Sequence, residues 1–343
     1  MPRSRPPAKA DTDHTVTLEQ VAARAGVSTM TVSRVLRNQA NVADKTRDKV
    51  RAAAAALGYV PNLLAGALAS ARTPLVAVLV PALGNIVFPE VLQGVNAALE
   101  ERGLQAVMGI TGYDQDKEER LVETMLSWRP AGWIVTGLEH TARTRQMLRG
   151  ARSPVVEIMD VDGKAIDMAV GLSHRAAGRI VGEHFARRGR RRVGYVGGDL
   201  VRDLRAAKRL EGFEQGLAAH GLALAARSGA PALSSLRLGR TALAAMLAQH
   251  PALEAVYFSN DDMAVGGLMH CLQAGIAVPE RLALAGFNGL EIGEVAPLRL
   301  TTVQSPRHEI GRVAALRLLA RLDGEEAPPV TDLGFAFVDG QTA

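Results

Sequence analysis

The 343-residue chain is 48 % apolar and 22 % charged, a globular composition with enough length for two or three domains and a sizeable core. No apolar run approaches the ~20 residues of a membrane helix, and the basic N-terminus lacks the apolar stretch of a secretory signal. The single cysteine, Cys271, excludes an internal disulfide, reads as a packed small side chain and fits a reducing cytoplasm. The net charge of +5 is unevenly spread: residues 1–72 hold eleven Lys/Arg against five Asp/Glu, the remainder 29 against 30. A basic small module beside a neutral large one fits a polyanion partner for the module alone.

Residues 1–15 are Pro-rich, charged and aperiodic, and read as a flexible tail able to give weak phosphate contacts. From Val16 the pattern becomes helical. Thr17-Leu18-Glu19-Gln20 is a capping box, Leu18, Val21, Ala22 and Ala25 form an apolar stripe, and Gly26 supplies a left-handed turn. Ser28 is an N-cap for a second helix, 29–37. Its Val32, Val35 and Leu36 share a face suited to burial. Thr29, Met30, Ser33, Arg34 and Arg37 form an opposite face with no acidic residue. Helix, glycine turn and a second helix with a polar, cationic face make a helix-turn-helix. A third helix, from about Asp44 to Leu57 and ended by Gly58, carries Lys45, Arg47, Lys49 and Arg51 toward a phosphate backbone. Asn62 then caps a short, nearly all-apolar stretch, 63–70, too short to be a stable helix alone in water.

From Leu75 strands and helices alternate. Strands are predicted at 75–80, 105–109, 133–135, 155–158, 192–196, 255–258 and 282–287. Helices are predicted at 87–102, 117–128, 173–188, 205–220, 238–249 and 261–274. This rhythm specifies βαβ units with mostly parallel sheets, and about 270 residues fit two lobes better than one. The ending FAFVDGQTA lacks heptads, which argues against an added coiled-coil tetramer.

The stretch VTLEQVAARAGVSTMTVSRVL, then NVADKTRDKV, LGYVPN and an Ala/Leu-rich hinge, closely resembles the lactose-repressor (LacI) family of bacterial transcription regulators. LVAVLVP at 75–81, KRLEGF at 208–213, YFSNDDMAVG at 257–266 and LALAGFNG at 282–289 extend the resemblance to about residue 340. GNIVFPEVLQGV, MLSW, PVVEIMD and DLGF look most like the gluconate-type repressors within it. The resemblance implies an all-α helix-turn-helix head (16–61), a hinge helix or linker (62–73) and an α/β core (74–343) like a two-lobed periplasmic sugar-binding protein. Lobe 1 is expected over 74–172 and 304–330, and lobe 2 over 173–303 and 331–343. It further implies a cytoplasmic, nucleoid-associated homodimer that binds double-stranded operator DNA and a small sugar or sugar acid, with no cofactor and no membrane.

By resemblance, Thr29, Met30 and Arg34 take the base-reading positions. The chemistry agrees, since Arg bonds guanine bidentately and Met or the Thr methyl can touch a thymine methyl. Ser28, Thr31, Ser33 and Asn41 are assigned to backbone positioning, and Asn62 is counted among the DNA-binding residues. Leu68 matches a hinge leucine that wedges into the minor groove. Leu63 departs from members with a polar or basic residue there.

Ligands of open α/β sheets bind beyond the carboxyl ends of strands. Asn85, Phe88, Tyr113, Glu157, Asp160, Arg209, Asn260 and Asn288 follow predicted strands or lie on the KRLEGF helix, and most match effector positions of the family. Asn288 stands where several members carry Asp. Arg209 suits a carboxylate, or alternatively a surface ion pair with Glu211 or Glu214, whereas Glu157 would select hydroxyls or pair with a structural arginine. Asp261 reads as a cap for a helix beginning at 262. A different sugar or a purine is the alternative ligand. Catalytic and metal-binding signatures are missing: no Walker A loop, Gly-x-Ser-x-Gly elbow, His-Glu-x-x-His or cysteine cluster. A DNA-binding sugar kinase would need more than Gly197-Gly198-Asp199 to cradle phosphate. A transport binding protein would need a signal peptide and no basic head.

Overall fold

The computed structural model describes residues 16–36, 41–60, 73–84, 87–230 and 232–343. The chain forms two compact units, 1–71 and 72–343. Arg37, Asn62, Leu63, Leu68 and Asn85, together with the tail 1–15 and the apolar stretch 63–70, all singled out above, lie outside the described residues.

The small unit contains α1 (Leu18–Ala25), α2 (Thr29–Leu36) and α3 (Asp44–Leu57). Local chemistry sets each boundary. The Thr17 N–H donates to Gln20 Oε1 at 3.0 Å ahead of α1. Gly26, at φ 69°, ends that helix in the left-handed region, and the Val27 N–H returns to Ala22 O at 3.1 Å. Ser28 Oγ accepts from the Thr31 N–H at 3.2 Å and caps α2. Gly58, at φ 65°, closes α3. Val21, Ala22, Val32, Val35, Val50, Ala53 and Ala54 form the core. So few buried side chains keep such a unit marginal by itself.

In the large unit, lobe 1 has a parallel sheet in the order β2-β1-β3-β4-β5-β11, built from β1 (Leu75–Val80), β2 (Gln105–Ile110), β3 (Gly132–Thr136), β4 (Val155–Ile158), β5 (Met168–Gly171) and β11 (Val330–Asp332). Both faces are covered, so strand residues are apolar in either direction. Val76, Val78 and Val80 pack with α4 (Val87–Glu100) and α12 (Arg307–Leu322). Ala77 and Leu79 pack with α5 (Gln115–Leu126) and α6 (Ala142–Gly150).

Lobe 2 repeats the plan with the order β7-β6-β8-β9: β6 (Val193–Gly197), β7 (Leu224–Gly229), β8 (Ala255–Phe258) and β9 (Ala283–Ala285). Tyr195 and Tyr257 face α7 (His174–Arg187) and α8 (Leu204–Ala218). Val196, Val256 and Phe258 face α9 (Leu236–Gln249) and α10 (Asp261–Ala274). Cys271 is fully buried in this second layer. A short α11 (Glu291–Glu294) follows β9, and β10 (Thr302–Gln304) pairs antiparallel with β12 (Ala336–Val338) where the chain crosses between lobes.

Several boundaries differ from the sequence reading. β11 pairs with β5 through Val330, Thr331 and Asp332, so the lobe 1 sheet takes two residues expected in lobe 2. Helix α5 starts earlier than predicted because Asp114 Oδ1 accepts from the N–H groups of Asp116 and Lys117. Helix α10 begins at Asp261 itself. The Asp261 carboxylate does not cap it. It accepts instead from Thr302 Oγ1 at 2.6 Å and the Leu290 N–H at 2.7 Å, tying the loop after β9 to β10.

Candidate functional sites

The first site is the outer face of α2. Val32 and Val35 are buried, whereas Ser28, Thr29, Met30 and Arg34 are exposed and Thr31 and Ser33 are half-buried. Met30 is 62 % exposed, a large apolar side chain with no packing reason to be there. Thr31 Oγ1 lies 3.0 Å from Ser28 Oγ, so these two hydroxyls orient one another. Asn41 is exposed ahead of α3. Lys45, Lys49 and Arg51 are exposed along that helix, but Arg47 turns inward, donating to Val42 O at 3.3 Å. The result is a convex surface of hydroxyls, a thioether and a guanidinium, flanked by cations. That chemistry suits the major-groove edges and backbone of a duplex.

The second site is the cleft between the lobes. An outer chamber of about 460 Å³ shares Tyr113, Asp203 and Asn260 with a tight inner chamber of about 20 Å³. Lobe 1 contributes Phe88, Tyr113 and Met159 to the inner chamber. Lobe 2 contributes His174, Arg205, Arg209, Phe287 and the Asn260–Asn288 pair. Asn288 Nδ2 donates to Asn260 Oδ1 at 3.1 Å, which leaves amide donors and acceptors for hydroxyls.

Arg209 is buried, not a surface ion pair; Glu211 binds Arg175 at 2.8 Å instead. The Arg209 guanidinium lies 4.0 Å from the Phe287 ring centroid. Its Nη2 donates to Ser259 O at 3.0 Å and its Nη1 to His174 Nδ1 at 3.1 Å. Across the ring, His174 Nε2 donates to Met159 O at 2.7 Å. Burial, and then the nearby Arg209 charge, push the His174 pKa well below its usual range. A neutral Nε2–H imidazole is the form that satisfies both neighbours. His174 thereby links the loop after β4 in lobe 1 to the central guanidinium of lobe 2.

Two residues expected in the cleft are not there. Glu157 lies within β4, fully buried, and accepts from the Ile166 N–H. Its carboxylate is 3.3 Å from His140 Nε2, a charge contact without hydrogen-bond alignment. Asp160 is fully buried and pairs with Lys208 Nζ, which also meets Glu139 at 2.6 Å. Both carboxylates are spent on internal partners. Lys208 lies on α8 and its two partners follow strands of lobe 1, so this is a strut between lobes. A second strut runs from Arg307 on α12 to Glu90 on α4, at 2.9 Å, and to the Asn288 carbonyl. The sequence reading missed His174, Arg205, Asp203, Met159 and Phe287. For Arg205 a signal existed, since it lies one helical turn before Arg209.

The His140 contact has a measurable consequence. Burial drives the imidazole toward neutrality, but Glu118 at 2.6 Å and Glu157 outweigh it and raise the pKa from 6.5 to about 9. A group whose pKa rises on folding adds stability that is complete below the unfolded value and lost as pH climbs through the folded one. Stability is expected to fall by about 2–3 kcal/mol between roughly pH 6.5 and pH 9. Urea unfolding across that range should show the decline, and His140→Gln should flatten it. An unchanged slope in the variant would remove this assignment.

Comparison with known proteins matches both parts of the chain. Residues 17–62 match the bacterial regulatory proteins of the lacI family, and residues 183–342 match the periplasmic binding protein-like domain. The chain is 41 % identical over 323 residues to the HTH-type transcriptional regulator GntR of Pseudomonas aeruginosa, covering 93 % of each protein. It superposes on a LacI family transcriptional regulator from Silicibacter pomeroyi with a TM-score of 0.91 and 47 % identity, over 95 % of this chain and 99 % of that one. It also superposes on the lac repressor dimer bound to operator and an anti-inducer, with a TM-score of 0.81 and 25 % identity over 95 % and 98 % of the two chains. With head and core both matched by relatives that share most of its length, the chain belongs to the LacI family of DNA-binding transcriptional regulators.

Proposed function

We propose that the protein is a homodimeric cytoplasmic repressor, reading a near-palindromic operator and switched by a sugar acid, with gluconate as the first candidate. The observation that carries the ligand class is the composition of the cleft: two guanidinium groups, an amide pair for hydroxyls and an aromatic wall. Polyols need paired donors and acceptors, and an acid needs a cation. The GntR relative supports the gluconate subclass. In this reading Thr29, Met30 and Arg34 contact bases, and Ser28, Thr31, Ser33, Asn41 and Asn62 contact the backbone. Leu68 wedges into the minor groove. Phe88, Tyr113, Arg209, Asn260 and Asn288 contact the effector, and Asn85, outside the described residues, is assigned to it as well. The ligand prefers one lobe arrangement and shifts the population by its differential affinity. The lobe arrangement sets the spacing of two hinge segments, whose folding is coupled to DNA binding.

The test is a thermal-unfolding panel of gluconate, neutral hexoses and purines, followed by operator titration with whichever ligand binds. Gluconate at a hundred-fold excess over its Kd is expected to stabilise the core by about 2.7 kcal/mol. Stabilisation by a purine alone would overturn the sugar-acid reading.

A further inference from the structure

Two arginines enter the cleft, and they are not equivalent. Arg209, the residue of the KRLEGF motif, has both terminal nitrogens engaged, Nη2 by Ser259 O and Nη1 by His174, with Nε buried and without a hydrogen-bond partner, and its guanidinium carbon lies 4.0 Å from the Phe287 ring centroid. Arg205, one turn earlier on α8, is only half-buried. It forms no hydrogen bond or ion pair among the described residues. Its guanidinium carbon lies 5.7 Å from the Phe88 ring centroid and 6.0 Å from that of Tyr113.

The geometry points to Arg205, rather than Arg209, as the cation that receives the carboxylate of the ligand and so sets selectivity for acids over neutral polyols. The assignment rests on the sugar-acid reading above. An arginine that makes no hydrogen bond or ion pair keeps its N–H edge free, and that edge is the one that matches a carboxylate in a bidentate pair. Neighbouring carboxylates do not compete for it. Glu139 and Asp160 are both engaged by Lys208, and Asp203 accepts from the Ala206 N–H at the start of α8. Arg205 is rooted in lobe 2 yet lies over two aromatic rings of lobe 1. A carboxylate bound there is held at the seam between lobes, where its charge favours the arrangement that keeps Arg205 beside both rings. Arg209, clamped by His174 and Phe287, serves as a fixed donor to hydroxyls deeper in the cleft.

The test is calorimetric titration of the full chain with gluconate and with sorbitol, its uncharged polyol counterpart. Wild-type protein should prefer gluconate. Arg205→Gln should weaken gluconate roughly 10–100-fold, the effect of removing one charge-assisted pair, and leave sorbitol nearly unchanged. Arg205→Lys, which keeps the charge without the fork, should recover part of the preference, separating the role of charge from that of packing. Ligand-free unfolding of each variant confirms that the fold is retained. If Arg205→Gln keeps the wild-type ratio of gluconate to sorbitol affinity, the assignment is wrong. If wild-type protein binds neither compound, the sugar-acid reading fails and this assignment falls with it.

Discussion

Arg34→Ala is expected to lower affinity for the operator by roughly 10²- to 10⁴-fold, because each of two heads then lacks one bidentate pair with a base. Affinity for random duplex should change far less. The expectation follows from where the side chain lies. Arg34 is on the face of α2 opposite Val32 and Val35, exposed, and without an ion pair among the described residues. Its neighbour one turn back, Met30, is equally uncovered. A guanidinium that only neutralised phosphate would act on all DNA alike. Removing it would then reduce operator and random affinity by the same factor and lower the salt dependence by about one ion per head. Fluorescence anisotropy over a salt series, using the best duplex selected from a random pool and a scrambled control, separates the two. Equal losses on both duplexes would withdraw the base-reading role from Arg34.

The head was legible because its boundaries are local. Ser28, Gly26 and Gly58 act on backbone groups within one turn of themselves, and nothing distant revises them. The buried strands of both sheets were legible for a related reason, since two covered faces make nearly every position apolar, Glu157 in β4 being an exception. What escaped depends on neighbours. β7, with Arg227 and Ser228 in a half-exposed edge, and the three-residue β10, β11 and β12 are strands only because a partner lies beside them. Helix α12 is different: Ile310, Ala314 and Leu318 recur at helical spacing and are buried, so that signal was available and unread.

The cleft divides in the same way. Phe88, Tyr113, Asn260 and Asn288 follow strand ends, and the rule that ligand contacts follow strands brings them, with Arg209, to one chamber. Glu157 and Asp160 satisfy that rule as loosely, yet each meets a cation from a distant segment, His140 or Lys208. No spacing in the sequence announces such a partner. A buried carboxylate must find a compensating charge, and the charge it found removed it from the cleft. Of the two struts across the lobes, Lys208 crosses by ion pairs of this kind, whereas Arg307, paired with Glu90 inside lobe 1, crosses through the Asn288 carbonyl. Both are made in the lobe arrangement described here, and a ligand that shifts the population to an arrangement lacking either must offset its loss.

A large loss of stability is expected from Gly212→Ala, because it acts on the spacing of the two helices that carry the cleft. Glycines repeat at intervals of four on both: Gly178 and Gly182 on α7, Gly212 and Gly216 on α8. A methyl group on Gly212 would lie 1.9 Å from Arg175 O, and one on Gly178 would lie 1.8 Å from Arg209 O. Both obstacles are main-chain carbonyls of a helix, so no rotamer change relieves them. Alanine itself favours a helix over glycine by about 1 kcal/mol, but overpacking of a closed interface costs typically about 1–3 kcal/mol and can exceed it. Here the clash is with backbone, so the upper end applies, and after the helix gain a net loss of about 2 kcal/mol is expected in urea unfolding. Gly150, at the end of α6, meets nothing within 4 Å. Gly150→Ala should therefore be neutral or slightly stabilising, which isolates the clash from the substitution. Since Arg205, Lys208 and Arg209 all project from α8, Gly212→Ala should also weaken ligand binding in whatever protein remains folded. A Gly212→Ala protein with wild-type stability would mean that α7 and α8 do not approach through their glycines.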